Sequence, residues 1–146
     1  MRSKVFILSM LLIASAGVCA EPDQTLQELL ARAESARIED QPHLYTELAQ
    51  HELKSADELY TAGKVDDARA AVKNLLTYSD KARDSSTQTG KRLKDTEIAM
   101  RKMAEKLRDM KRAVTFEEQG PLQAAADHLE NLRTDLLSHM FGKGKK

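Results

Sequence analysis

Residues 65–116 read VDDARAAVKNLLTYSDKARDSSTQTGKRLKDTEIAMRKMAEKLRDMKRAVTF. Small or apolar positions recur in this stretch at alternating steps of four and three: Ala68, Val72, Leu75, Ser79, Ala82, Ser86, Thr89, Leu93, Thr96, Met100, Met103, Leu107, Met110 and Val114. The phase persists through Ser85-Ser86-Thr87-Gln88-Thr89-Gly90, a run with the composition of a linker. A seven-residue phase carried across such a run predicts one helix over about 65–116, roughly 75 Å long.

Three shorter helices are expected around it. The first, about 25–38, places Leu26, Leu29, Leu30 and Ala33 on one face, with Asp23 or Thr25 as cap. The second, about 43–62, opens beside Pro42 and stops at Gly63, with Asp66 and Asp67 placed at the positive end of the following helix. The last, about 121–140, opens at Pro121 after the breaker Glu117-Glu118-Gln119-Gly120 and carries Leu122, Ala125, Leu129, Leu132, Leu136 and Met140. Short turns make these neighbours antiparallel, so the expected fold is all-α: antiparallel helical hairpins with a coiled-coil-like seam on one long central helix. With no tryptophan, three tyrosines and six glycines, the composition disfavours a β-sandwich or barrel.

The N-terminus predicts an address. Arg2 and Lys4 precede an apolar run from Val5 to Ala16, and Val18 and Ala20 sit at the small-residue positions before a cleavage site. This is the pattern of a secretory signal peptide, 1–20, cleaved after Ala20; the run is short for a transmembrane span. Cys19 invites a lipoprotein reading, but Val18 stands where such signals place a smaller residue. Retention as an anchor is the lesser alternative. Cleavage leaves a single helical domain, 21–141, without cysteine, and a basic flexible tail, 142–146. The expected location is the periplasm or the extracellular space.

Charge is uneven along that chain. Residues 21–62 hold ten acids and three bases, whereas residues 91–114 hold nine bases and four acids. The bases Lys91, Arg92, Lys94, Arg101, Lys102, Lys106, Arg108, Lys111 and Arg112 have two readings. One is a solvated helix face, salt-bridged to Asp95, Glu97, Glu105 and Asp109. The other is an anionic-partner surface, for lipid or an envelope polymer, extended by the C-terminal lysines. Export and the lack of interleaved aromatics argue against nucleic acid. The small residues Ser79, Ala82, Ser86 and Thr89 form a candidate helix-association surface, through which a second copy could approach closely.

The run Ala56 to Ala68 resembles the helix–turn–helix of a tetratricopeptide repeat. Ala56 matches its first small residue, Tyr60 the aromatic, Gly63 the turn and Ala68 the second small residue. The resemblance covers about 53–79 and implies a local hairpin. Leu75 stands where a small residue is usual, Asp80 where a proline closes the unit, and no second copy follows, so it does not imply a repeat array. The whole chain is also similar to small exported helical bacterial proteins that remain uncharacterised, a likeness that implies an address and no activity.

Sites for chemistry are sparse. His43, Glu47 and His51 lie at i, i+4 and i+8 on the second helix; adjacent pairs share a face, but the outer pair is roughly 12 Å apart by helix rise, too far for one ion. Asp135 and His139 are another pair one turn apart. Met100, Met103 and Met110 fall in the same seam as Leu93 and Leu107 and read as core. No nucleophile elbow, phosphate loop or His-Glu-x-x-His run occurs. The expectation is an exported protein that is not an enzyme, takes no cofactor or metal, and has a structural or protein-interaction role in the cell envelope; the alternative is binding of anionic lipid or polymer through residues 91–112.

Overall fold

The structure, a computed structural model, describes residues 22–142, so the expected leader and residues 143–146 lie outside the described part. It is all-α, with five helices: α1 (Pro22–Ser35), α2 (Gln41–Thr61), α3 (Val65–Thr89), α4 (Leu93–Lys111) and α5 (Phe116–Phe141). No described helix is long and apolar enough to cross a membrane.

The expected continuous helix over 65–116 is two helices. Gly90 ends α3 in the left-handed conformation (φ 69°), and Arg92 starts α4 at φ 53°. Two left-handed residues within three positions reverse the chain. Hydroxyls from the supposed linker and from the first turn of α4 pin this turn. Ser86 Oγ donates to the Lys91 carbonyl at 2.6 Å, Thr96 Oγ1 donates to the Arg92 carbonyl at 2.9 Å, and Thr89 Oγ1 accepts the Lys91 N–H at 3.2 Å. The seven-residue phase survives because Ser86 and Thr96, on either side of the turn, both point inward.

The next boundary also lies earlier than expected. The chain turns over Arg112–Thr115 instead of at Gly120-Pro121, and α5 starts at Phe116. Glu117 and Glu118 occupy its first turn, favourable at the positive helix end. Pro121 is tolerated inside the helix near its start, where its missing N–H forfeits one bond. Closer to expectation, Pro42 falls in the first turn of α2, and Gly63, at φ 74°, closes the α2–α3 hairpin.

Connections of three and four residues make α2–α3 and α4–α5 antiparallel hairpins, and these are the two closest helix pairs. The hairpins stack side by side. Asp57 to Lys106 (2.7 Å) joins the ends of α2 and α4, while Arg69 to Glu118, Asp80 to His128 (2.8 Å) and Arg83 to Asp135 run in step along α3 and α5. Helices α2 and α4 are therefore parallel to each other, as are α3 and α5. Helix α1 packs on α2 through Leu29 and Ala33.

Burial repeats from one hairpin to the next. Inward positions Ala68, Val72, Leu75, Ser79, Ala82 and Ser86 of α3 recur 50 residues on (68 to 118, 86 to 136) as Glu118, Leu122, Ala125, Leu129, Leu132 and Leu136 of α5. Those of α2, from Tyr45 to Ala56, recur 51 residues on in α4, from Thr96 to Leu107. The side chains differ in size between the copies, so the repeat is one of burial and not of residue type. Leu48, Leu75, Met100, Met103, Leu107, Leu122, Leu129 and Leu136 are fully buried. At about 2 kcal/mol per leucine against about 0–1 kcal/mol for an exposed ion pair, the apolar seams hold the hairpins and the pairs set their register.

Candidate interaction surfaces

The basic residues of 91–112 do not form one surface. Lys106 is taken by Asp57, Arg108 by Glu130 (3.3 Å), Lys111 donates to Gln123 (3.0 Å), and Arg112 pairs with Asp109 (3.3 Å). Of these partners, only Asp109 is a helical neighbour; the others come from α2 and α5. Arg92 has Asp95 at 3.9 Å. Lys91, Lys94, Arg101 and Lys102 are exposed and have no carboxylate within 4.0 Å among the described residues. Four bases of the nine thus stay available, at the start of α4 and in its middle.

The small-residue surface is used inside the molecule. Ser79, Ala82 and Ser86 are fully buried and Thr89 is half-buried. The Asp80–His128 and Arg83–Asp135 pairs set α5 alongside this stretch, so the helix that approaches closely belongs to the same chain. Ser79 Oγ is buried without a hydrogen-bond partner.

Several polar networks serve the joints between helices. Glu118, buried where the first hairpin has Ala68, accepts hydrogen bonds from both Arg69 nitrogens and from the Tyr60 hydroxyl (3.2 Å). The Arg69 hydrogen bond holds the Glu118 carboxyl below the usual carboxylate range. Burial, together with the bond to Glu118, pushes Tyr60 up to about 12. Arg133 bridges Glu97 (2.6 Å) and Glu130 (3.3 Å), and the Glu97 bond raises its pKa. Burial raises the Glu52 carboxyl, opposed by an Asn74 hydrogen bond at 3.4 Å. Tyr45 stacks on Tyr78 with Lys81 over its ring (5.2 Å), and burial raises both phenols. Each network ties one helix to another.

Two open features remain. Helices α2 and α4 touch less than the helices within each hairpin, and their first halves leave a groove of about 490 Å³ lined by His43, Thr46, Glu47, Gln50, Asp95, Ile98, Ala99 and Lys102. His43 and Glu47 share this groove; His51 is exposed farther along α2. No group of three or more His, Cys, Asp or Glu able to hold a metal ion occurs among the described residues. Thr46, Gln50 and Ile98 carry no signal in the sequence as site residues, because the groove forms between elements about fifty positions apart.

The second feature is the end of the bundle where the α3–α4 turn meets the last turn of α5. A hollow there is lined by Gly90, Arg92, Leu93, Lys94, Asp95, His139, Met140 and Phe141. His139 stays on its own helix, its Nδ1 3.0 Å from the Asp135 carbonyl, while Asp135 engages Arg83.

No protein-family model matches this chain, and no curated protein or solved structure matches it. The tetratricopeptide likeness of Ala56–Ala68 stays a likeness of residues, carried here by a single hairpin turn at Gly63.

Proposed function

We propose that this chain is an exported, non-catalytic helical protein that binds a protein partner in the cell envelope through the α2–α4 groove. The observation that carries the reading is the contrast between the two sides of the hairpin stack. On the α3–α5 side, the ion pairs Arg69–Glu118 and Arg83–Asp135 and the Asp80–His128 hydrogen bond close the joint along its length. On the α2–α4 side the one ion pair, Asp57–Lys106, lies at the far end, and the stretch where residues 43–50 face residues 95–102 stays open. Its floor offers Ile98 and Ala99 to an apolar side chain, and its rim offers Glu47 and Lys102, neither of which has an ion-pair partner among the described residues. The amino-terminal charge and hydropathy pattern supports export, and the consumption of polar side chains in helix–helix joints supports a binding role over catalysis.

The test is site-specific photocrosslinking in the producing cell. A photoreactive residue at Gln50, in the groove, should yield a discrete adduct with an envelope protein. One at Asn131, exposed on α5, should not. Adducts of equal yield from both positions, or none from Gln50, refute the groove as the binding site.

A further inference from the structure

We infer that the end of the bundle formed by the α3–α4 turn and the last turn of α5 docks on an anionic lipid bilayer, with Phe141 entering the headgroup region. This surface is separate from the groove and needs no protein partner. It also narrows the basic surface expected over 91–112 to the start of that segment.

The bases here do little for the fold. Lys91, Arg92 and Lys94 cluster at the N-terminus of α4, where the helix dipole favours acids and disfavours cations. Asp95 is the acid in that first turn, and Lys91 and Lys94 have no acidic partner among the described residues. Arg92 holds a left-handed conformation unusual for a residue with a side chain. At the opposite end the bases stand beside acids: Arg69 on Glu118, Lys106 on Asp57, Arg112 on Asp109. At this end Arg92 has Asp95 at 3.9 Å and Arg37 has Asp40 at 3.2 Å, so the contrast lies in Lys91 and Lys94.

Apolar groups share the same end. Phe141 is 73% exposed, and Met140 and Leu93 beside it are half-buried. Ile38, in the α1–α2 connection, belongs to this end too, because residues of that connection and Arg92 line a common hollow. An exposed aromatic that shares a hollow with Arg92 and Lys94, and with Asp95, matches a bilayer interface, which offers both phosphate charge and an apolar layer for the ring; a soluble polyanion offers only the charge.

Position along the molecule matters more than net charge, which is formally zero for the whole sequence. Helix α3, with 25 residues, separates the two ends by roughly 37 Å. That exceeds a Debye length of about 8 Å, so a bilayer touching one end is screened from charges at the other.

The chain contains no tryptophan, so Phe141→Trp supplies a sole indole reporter. The chain from Glu21 to Lys146, which contains every helix of the bundle, is titrated with vesicles of phosphatidylglycerol and phosphatidylcholine and with vesicles of phosphatidylcholine alone. The expected result for Phe141→Trp is a blue shift of the indole emission with the anionic vesicles only, reversed by salt. Phe116→Trp, at the opposite end and 84% exposed, should show no shift. In the native sequence, Lys91→Ala with Lys94→Ala should weaken vesicle binding about 25-fold, at about fivefold per base. Lys64→Ala with Lys73→Ala, the same charge loss elsewhere, should change it by about twofold or less. Circular dichroism confirms that each variant is folded. An equal shift in both indole variants, no shift in either, or equal losses from the two lysine pairs overturns the proposal. Charge-dependent binding in which the indole of Phe141→Trp stays water-exposed identifies a polyanion surface instead and also overturns it.

Discussion

Gly90→Ala separates a broken helix from a continuous one by the sign of its effect. In the structure Gly90 sits at φ 69°, and a Cβ added there meets nothing within 4 Å, so strain comes from the backbone alone. An L-residue in the left-handed region costs about 1–2 kcal/mol, and the variant should be destabilised by that amount. If residues 65–116 formed one helix, Gly90 would lie in its interior, and alanine would instead stabilise by about 1 kcal/mol. The two cases differ by about 2–3 kcal/mol in a quantity that urea titration resolves to a few tenths. The assay is the unfolding midpoint followed by circular dichroism at 222 nm, with thermal melting as a second readout at about 4 °C per kcal/mol for a domain of this size. Arg92→Gly should act in the opposite direction. It releases the left-handed strain at φ 53°, less the added entropy of the unfolded chain, for a net gain of about 0.5 kcal/mol. A rise in the midpoint for Gly90→Ala, with an unchanged denaturant slope, would refute the turn at 90–92 and restore the single helix.

Leu129→Ala, at a fully buried position of α5, should cost about 3 kcal/mol by urea unfolding; a cost under 1 kcal/mol would mean that α5 does not share the core. Ser79→Ala removes a buried hydroxyl without a partner and adds a better helix former, for a gain of about 1 kcal/mol in the same assay. Glu118 and Glu52 should bend the pH–stability curve in opposite senses. The folded pKa of Glu118 lies below its ordinary 4.5, so its contribution is present above the unfolded pKa and lost as pH falls through the folded one. Glu118→Gln should flatten that acid loss. The folded pKa of Glu52 is raised by burial, so its ionisation opposes folding at neutral pH, and Glu52→Gln should be the more stable protein at pH 7 with the difference vanishing in acid. Stability curves of the two variants with the same slope from pH 7 to pH 3 would contradict both assignments.

The sequence makes the all-α class, the α2–α3 hairpin and the inward methionines of α4 legible, because these depend on spacing and on Gly63 within a few residues. The break at 90–92 is not legible from the same spacing. A periodic series reports which residues face inward, and Ser86 and Thr96 both do so although the chain reverses between them. The serines and threonines that read as a linker are helix interior and turn fasteners. Their hydroxyls answer carbonyls five residues or fewer away, a local arrangement that composition does not distinguish from a solvated loop. Distance in sequence hid the charge pairing. Glu130 is 22 positions from Arg108 and Asp57 is 49 from Lys106, so the basic stretch looks uniform until α2 and α5 are set beside it.

The two hairpins meet along two parallel lines of unequal closure, and this makes the molecule soft in one direction. Bending a single hairpin must disrupt apolar packing that runs its whole length. Rocking one hairpin against the other, about the α3–α5 line, disturbs less of the packing, because the hairpins touch each other less than the two helices within each do. Because α2–α4 lies across the stack from that line, a small angular change there becomes a change in groove width. A ligand wedged into the groove would therefore be felt as stress at Arg69, Asp80 and Arg83, on the opposite side of the protein.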